Sequence, residues 1–94
     1  MIIAKVIGNI WATKKDDSLE GLKFFVVKQA GAPEVKPIVA VDGGVGAGIG
    51  DDVLVTQGSS ARMIYTKEQR DRPVDAVIVG VIDSLEVDME QWEN

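Results

Sequence analysis

Length, composition and charge already narrow the class of protein. The chain has 94 residues, enough for one domain, and a domain of that size often relies on disulfides, metals or oligomerisation because its core is small. It contains no Cys and no His, which excludes disulfides and the usual zinc sites and leaves oligomerisation. The formal net charge is −5, and residues 86–94 hold four of the acids, so the near-neutral body does not attract phosphate backbones.

Neither a membrane span nor an export signal is visible in the sequence. No apolar run approaches the ~20 residues that cross a bilayer. The first residues, Met-Ile-Ile-Ala-Lys, have no basic region ahead of an apolar one. The absence of Cys is also typical of a reducing compartment, so we expect a cytoplasmic protein.

In chain order, apolar runs rich in Val and Ile alternate with Gly, Pro and Asp, which is typical of strands and turns. They predict five strands, at residues 2–13, 22–29, 37–42, 52–56 and 74–85, with loops at 31–36 and 67–73. A short helix is predicted at 59–65, where a Ser59 or Ser60 hydroxyl would accept a first-turn backbone N–H. The pattern predicts an all-β fold: a small five-stranded, OB-like closed barrel with one short helix between strands four and five. A two-layer sandwich is the alternative.

Two of the predicted strands are apolar on both faces, whereas a barrel strand that faces water alternates apolar and polar residues. In strand five, one face holds Val74, Ala76, Ile78, Gly80 and Ile82, and the other holds Val77, Val79 and Val81. In strand one, one face holds Ile2, Ala4, Val6, Ile10 and Ala12, and the other holds Ile3, Ile7 and Trp11 with Lys5 and Asn9. The second apolar face must be covered, either by the helix and loops of the same chain or by another subunit.

The glycine-rich run at residues 43–51 is the most conspicuous motif of the sequence. No register of it fits a dinucleotide fingerprint, and Asp51 stands where a phosphate loop needs Lys. The run also leads into a strand, and not into a helix whose N-terminus could hold an anion. We therefore predict a tight structural loop that could sit at a subunit junction. Its candidate assembly residues are Gly46, Ala47, Gly48, Gly50 and Asp51.

Few other residues could carry chemistry. Paired acids can serve in acid–base catalysis or bind Mg²⁺ or Ca²⁺, but the acids at predicted strand ends are ordinary turn residues: Asp42, Asp51, Asp52, Asp75 and Asp83. Capping explains Ser59 and Ser60 more simply than catalysis, while Arg62 could grip a carboxylate or carbonyl groups of a neighbouring loop or subunit. These three residues complete the assembly candidates, and we predict no catalytic residue, cofactor or metal.

OB-like barrels can also bind single-stranded nucleic acid through aromatic side chains in a basic groove. Here the aromatic residues are few, and Lys14 and Lys15 are followed at once by Asp16 and Asp17. We therefore predict that the chain does not bind nucleic acid. A barrel face that binds a small ligand or a short peptide is the alternative function, and a small enzyme with carboxylate chemistry is a third.

Four stretches, in their order and spacing, carry a resemblance to a known family. They are residues 3–8 leading to Thr13 and Lys15, residues 18–23, residues 41–51, and residues 58–62 joined to 73–83. With them the chain resembles the EutN/CcmL family over residues 1 to about 85. The resemblance implies a pentamer of five-stranded barrels that caps the vertices of a bacterial microcompartment shell. It also implies hexameric shell proteins as partners.

Two features depart from the family pattern. Three residues, 43–45, separate Asp42 from Gly-Ala-Gly where the family usually has two, which indicates a β-bulge. The acidic tail with Trp92 lies outside the shared stretches, and it should either be disordered or dock on a neighbour. We therefore divide the chain into a shell-vertex barrel, 1–85, and an acidic C-terminal tail, 86–94.

Overall fold

The computed structural model describes residues 1–11, 21–58 and 75–93. Five strands and one short helix lie in this part of the chain: β1 (Ile2–Ile10), β2 (Phe24–Gln29), β3 (Ile38–Asp42), β4 (Asp52–Gln57), β5 (Ala76–Val81) and α1 (Met89–Glu93). The strands close into a barrel in the order β1-β2-β3-β5-β4, in which β4 also pairs with β1. All pairs are antiparallel except β3 with β5. The predicted closed five-stranded barrel is confirmed, and the sandwich alternative is wrong.

The barrel core consists of Phe25 together with small and β-branched side chains at every second strand position. Such spacing sends alternate residues to one face of a strand, so the inward positions fill the barrel. The buried cluster is Ala4, Val6, Phe25, Val27, Ala40, Val53, Val55, Ala76 and Ile78. Ile2, Ile38 and Ala47 pack against it from the ends.

Strands β1 and β5 end close to where their partner strands begin. β1 ends at Ile10, which pairs with Phe24, the first residue of β2, and residues 12 and 13 of the predicted strand fall outside the described part of the chain. At the end of β5, the Ile82 N–H still donates to the carbonyl of Asp52, the first residue of β4, at 2.8 Å. The chain then leaves the sheet, and the predicted strand residues 83–85 lie outside it.

Two β-bulges change which side chains share a face. One falls between Val6 and Gly8 in β1, and the other places Val79 opposite the Leu54–Val55 step of β4. Beyond each bulge the alternation shifts by one residue. Gly80 therefore pairs with Leu54 on the outer face, and a Cβ at Gly80 would contact Leu54 Cδ1 at 3.7 Å.

The predicted face assignment is correct before the bulges and wrong after them. The prediction grouped Gly80 with Ala76 and Ile78, which lie in the core, and Ile10 with the inward residues of β1. In the barrel, Ile10 pairs with Phe24, which belongs to a second apolar cluster outside the core. A bulge inserts one residue without altering the composition of a strand, so strict alternation cannot reveal it.

The second apolar cluster covers part of the outer surface within the chain itself. Val41 and Val77 are both buried, and Leu22, Phe24 and Val79 pack against them. Val77 and Val79 were predicted on the second apolar face of strand five, and they do lie together there. The chain therefore covers this part of the face without a second subunit.

The acidic tail folds onto its own chain. Asp88 directly precedes α1 and caps it. Its carboxylate accepts the Glu90 N–H at 3.0 Å, and its carbonyl accepts the Trp92 N–H at 2.8 Å. The Trp92 indole then lies on Gly31, in the turn after β2, where an added Cβ would come within 2.6 Å of Cε2. This arrangement differs from a disordered tail, while docking of the tail on a neighbour stays a prediction. Among the described residues, no helix is long and apolar enough to span a membrane.

Candidate functional site

The glycine-rich run forms a loop that begins where β3 ends, and Asp42 organises its first half. The Asp42 carboxylate accepts backbone N–H groups from Gly44 and Val45 through Oδ1, at 3.2 and 3.0 Å, and from Gly46 through Oδ2, at 3.2 Å. The Asp42 residue is only 7% exposed. Its oxygen atoms therefore fix the path of the loop, in the way that Asx turns hold a backbone.

Asp51 and β1 hold the second half of the loop. Asp51 Oδ2 accepts the Gly48 N–H at 2.9 Å, and the Asp51 N–H donates to the Gly48 carbonyl at 3.1 Å. The Gly50 N–H donates to the Val6 carbonyl at 2.8 Å, and the Val6 N–H donates to the Asp51 carbonyl at 2.9 Å. The loop is thus fastened at both ends by carboxylates and by backbone hydrogen bonds.

Gly43 and Gly50 show two different reasons for glycine in this loop. The Gly43 N–H donates to the Ile78 carbonyl of β5 at 2.8 Å, and a Cβ at Gly43 would collide with that same oxygen atom. Gly50 has φ of 95°, a left-handed conformation that side chains with a Cβ disfavour. The predicted bulge next to Asp42 is wrong, because β3 ends at Asp42 and the turn closed by its carboxylate absorbs the extra residue.

The fastened loop presents two aliphatic side chains to solvent. Ile49 is 61% exposed and Val45 is exposed as well, while Ala47 turns inward against the barrel core. Of the predicted assembly residues, Gly46, Ala47, Gly48, Gly50 and Asp51 all lie in this loop. Their role in assembly stays a prediction. Ser59, Ser60, Arg62 and the predicted helix at 59–65 fall outside the described residues.

An apolar cavity of about 480 Å³ opens at the same rim of the barrel, where β1 ends and β2 begins. Trp11, which is 91% exposed, stands at this cavity. The other side chains that line it include Ile10, Leu22, Lys23, Phe24 and Phe25. Within the described ranges, no group of three or more acids is placed to hold a metal ion.

Sequence reasoning did not single out three features of this surface: the loop-closing role of Asp42, the exposed pair Val45 and Ile49, and the cavity beside Trp11. Asp42 was predicted only as a turn carboxylate. A signal for its role was present, because Asp followed by a Gly-rich segment is typical of side chains that accept N–H groups from the next residues. No sequence signal identifies the cavity, which depends on how two strand ends meet.

Comparisons with known proteins agree with this barrel. A family model described as ethanolamine utilisation protein EutN/carboxysome matches residues 1–83. The carboxysome shell vertex protein CcmL of Nostoc sp. (strain PCC 7120) is 44% identical over 91 residues, covering 94% of this chain and 88% of the relative. Among solved structures, CcmL from Nostoc sp. PCC 7120 has a TM-score of 0.78 at 42% identity, covering 90% of this chain and 92% of that one.

A second solved structure bears on assembly. The pentameric microcompartment shell protein GrpN from Rhodospirillum rubrum has a TM-score of 0.78 at 39% identity, covering 93% of this chain and 99% of that one. Barrel and loop together define a small structural protein of the shell-building class. The chain belongs to the EutN/CcmL family. The predicted function, a structural vertex protein of a bacterial microcompartment shell, is confirmed by these relatives.

Proposed function

We propose that this chain fills its vertex role as a ring of five identical copies that joins hexameric shell proteins and catalyses no reaction. The observation that carries the proposal is a filled barrel core beside exposed apolar side chains. Nine of the described residues form the buried core, yet Trp11, Ile49 and Val39 remain 91%, 61% and 50% exposed. These apolar side chains are available for a partner to cover, and the pentameric relative supports copies of the chain as that partner.

A structural role also fits the chemistry of the loop. A catalytic carboxylate needs oxygen atoms that can reach a substrate proton. Asp42 and Asp51 instead accept hydrogen bonds from the backbone of their own loop. The glycine-rich run resembles an active-site loop in sequence, but its acids serve to hold the backbone path of the loop.

The ring itself can be tested by mass. Native mass spectrometry at micromolar concentration should show a species of five times the 10.1 kDa chain. A monomer, or a ring of another size, would contradict the pentamer. Analytical ultracentrifugation at several concentrations would show whether the species is discrete.

The vertex role needs a test with shell partners. Co-expression with hexameric microcompartment shell proteins should give closed particles, and omission of this chain should leave open or tubular ones. A flat sheet of hexagonal tiles cannot close on itself, so closure is the expected readout in electron microscopy. Equal numbers of closed particles with and without the chain would refute the proposal.

We also propose that residues 1–85 form the assembling unit and that residues 86–94 are dispensable for it. The described contacts support this division, because the strands of the barrel end at Val81 and the tail contacts the barrel at Gly31. A chain that ends at residue 85 should still form the ring. Loss of the ring in that variant would assign the tail to the assembly.

A further inference from the structure

We infer that the glycine-loop tip of one copy, defined by Val45 and Ile49, inserts into the Trp11 cavity of the next copy. This inference rests on the proposed ring. It names the surfaces through which the ring closes, one a projecting loop and the other a cavity. The occupant of the cavity is therefore a second copy of this chain.

Symmetry supplies the first step of the argument. A contact that uses the same patch on both partners creates a twofold axis and ends at a dimer. A ring of five has no such axis between neighbours, so each copy must offer two different surfaces. The chain must therefore carry one surface that projects and another that receives it.

The barrel places two matching surfaces at one rim. β1 ends and β2 begins beside the cavity, and Phe24 pairs with Val41 next to the end of β3, where the glycine loop starts. The loop then crosses from β3 past β5 to β4, and its last residues, Gly50 and Asp51, bond to Val6 of β1. Loop and cavity share no lining residue.

The chemistry of the two surfaces is complementary. The loop tip offers aliphatic side chains, and aliphatic and aromatic side chains line most of the cavity. Trp11 is large and almost fully exposed, which is the kind of residue that carries binding energy when a partner covers it. The segment 43–51 contains no basic residue, so Lys23 at the cavity meets no like charge from the loop.

The loop is also preorganised for insertion. The Asp42 carboxylate and the Gly50–Val6 hydrogen bond fix its path before any contact with a partner. A fixed loop loses less conformational entropy on binding than a flexible one.

Cross-linking can test the contact directly because the chain contains no Cys. The double variant Lys23→Cys with Ile49→Cys places one thiol beside the cavity and one at the loop tip, and it leaves Trp11 in place. A short bismaleimide links neighbouring thiols without the strict geometry of a disulfide. We expect a ladder on denaturing gels that ends at five linked chains.

Matched controls separate this arrangement from others. Lys23→Cys with Val35→Cys moves the second thiol to the exposed turn after β2, at the opposite rim, and should give no ladder. Neither Lys23→Cys nor Ile49→Cys alone should give linked pairs. A ladder from the Val35 control, or linked dimers from Ile49→Cys alone, would overturn the inference.

A second variant tests the energetics of the same contact. Ile49→Asp would carry a charge into the apolar cavity, so the pentamer fraction at micromolar concentration should fall at least about tenfold. Val35→Asp should leave that fraction unchanged. If the unmodified chain is a pentamer but Ile49→Asp assembles normally and the Cys pair fails to link, this interface is wrong and the ring stands. If the unmodified chain is a monomer, the proposed ring itself fails.

Discussion

Replacement of Asp42 would test whether one buried carboxylate holds the glycine loop. Asp42→Ala removes the acceptor of three backbone N–H groups, those of Gly44, Val45 and Gly46. A hydrogen bond to a charged group contributes about 1.5–3 kcal/mol. The three donor residues are exposed, so water replaces part of each lost bond. Counting about 1 kcal/mol for each, we expect a loss of about 3 kcal/mol in the free energy of unfolding.

Asp42→Asn should cost less, and the reason lies in how the three bonds divide between the two oxygen atoms. Oδ1 accepts two of them and Oδ2 accepts one. An Asn side chain can keep its oxygen atom at the Oδ1 position, but its amide group then faces the Gly46 N–H, donor against donor. We expect a loss of about 1–2 kcal/mol, between the wild type and Asp42→Ala.

Urea unfolding at one fixed protomer concentration would measure both variants, since the stability of an oligomer depends on concentration. Asp83→Ala is the matched control, because Asp83 is exposed just after β5, and its change should stay within about 0.5 kcal/mol. If Asp42→Ala were as mild as the control, the carboxylate would not hold the loop. If Asn and Ala cost the same, the division of bonds between the two oxygen atoms would be wrong.

Further variants test three other contacts. Gly43→Ala should lower the free energy of unfolding by about 1–3 kcal/mol, because its Cβ would collide with the Ile78 carbonyl. Gly48→Ala is the control in the same urea assay, and it should cost far less because its Cβ would make only ordinary contacts. Ile78→Ala should cost about 2–5 kcal/mol because the side chain is fully buried, and a result below 1 kcal/mol would contradict the core assignment. Trp92→Ala and Gly31→Ala should both speed cleavage of the tail by a Glu-specific protease, and unchanged rates would refute tail docking.

Much of the fold followed from the sequence because strand patterns are local. The alternation in strands one and five predicted which side chains share a face, and Ala4, Val6, Ala76 and Ile78 of those faces lie in the core. The ends of the strands were less predictable. β1 ends at Ile10, which pairs with Phe24 at the start of β2, and only the pairing of the two strands shows this.

The sequence predicted the kind of site, a structural loop, but it did not predict the geometry of that loop. Asp51 and the absence of Lys at the end of the glycine run indicated a structural loop, and the loop is held by its own carboxylates. The pairing of Asp42 with three N–H groups requires the path of the loop, which the composition does not give. The cavity at Trp11 depends on two strand ends that are far apart in sequence.

The doubly apolar strands posed a choice between a cover from the same chain and a cover from another subunit, and burial shows where each applies. Val41 and Val77 are buried on the outer face by apolar residues of their own chain. Trp11, Ile49 and Val39 remain exposed. Because the chain already covers the first group, a partner would gain little there. The free energy for a ring must therefore come from surfaces that stay exposed, and Trp11 and Ile49 are two such residues at the rim where a loop and a cavity can meet.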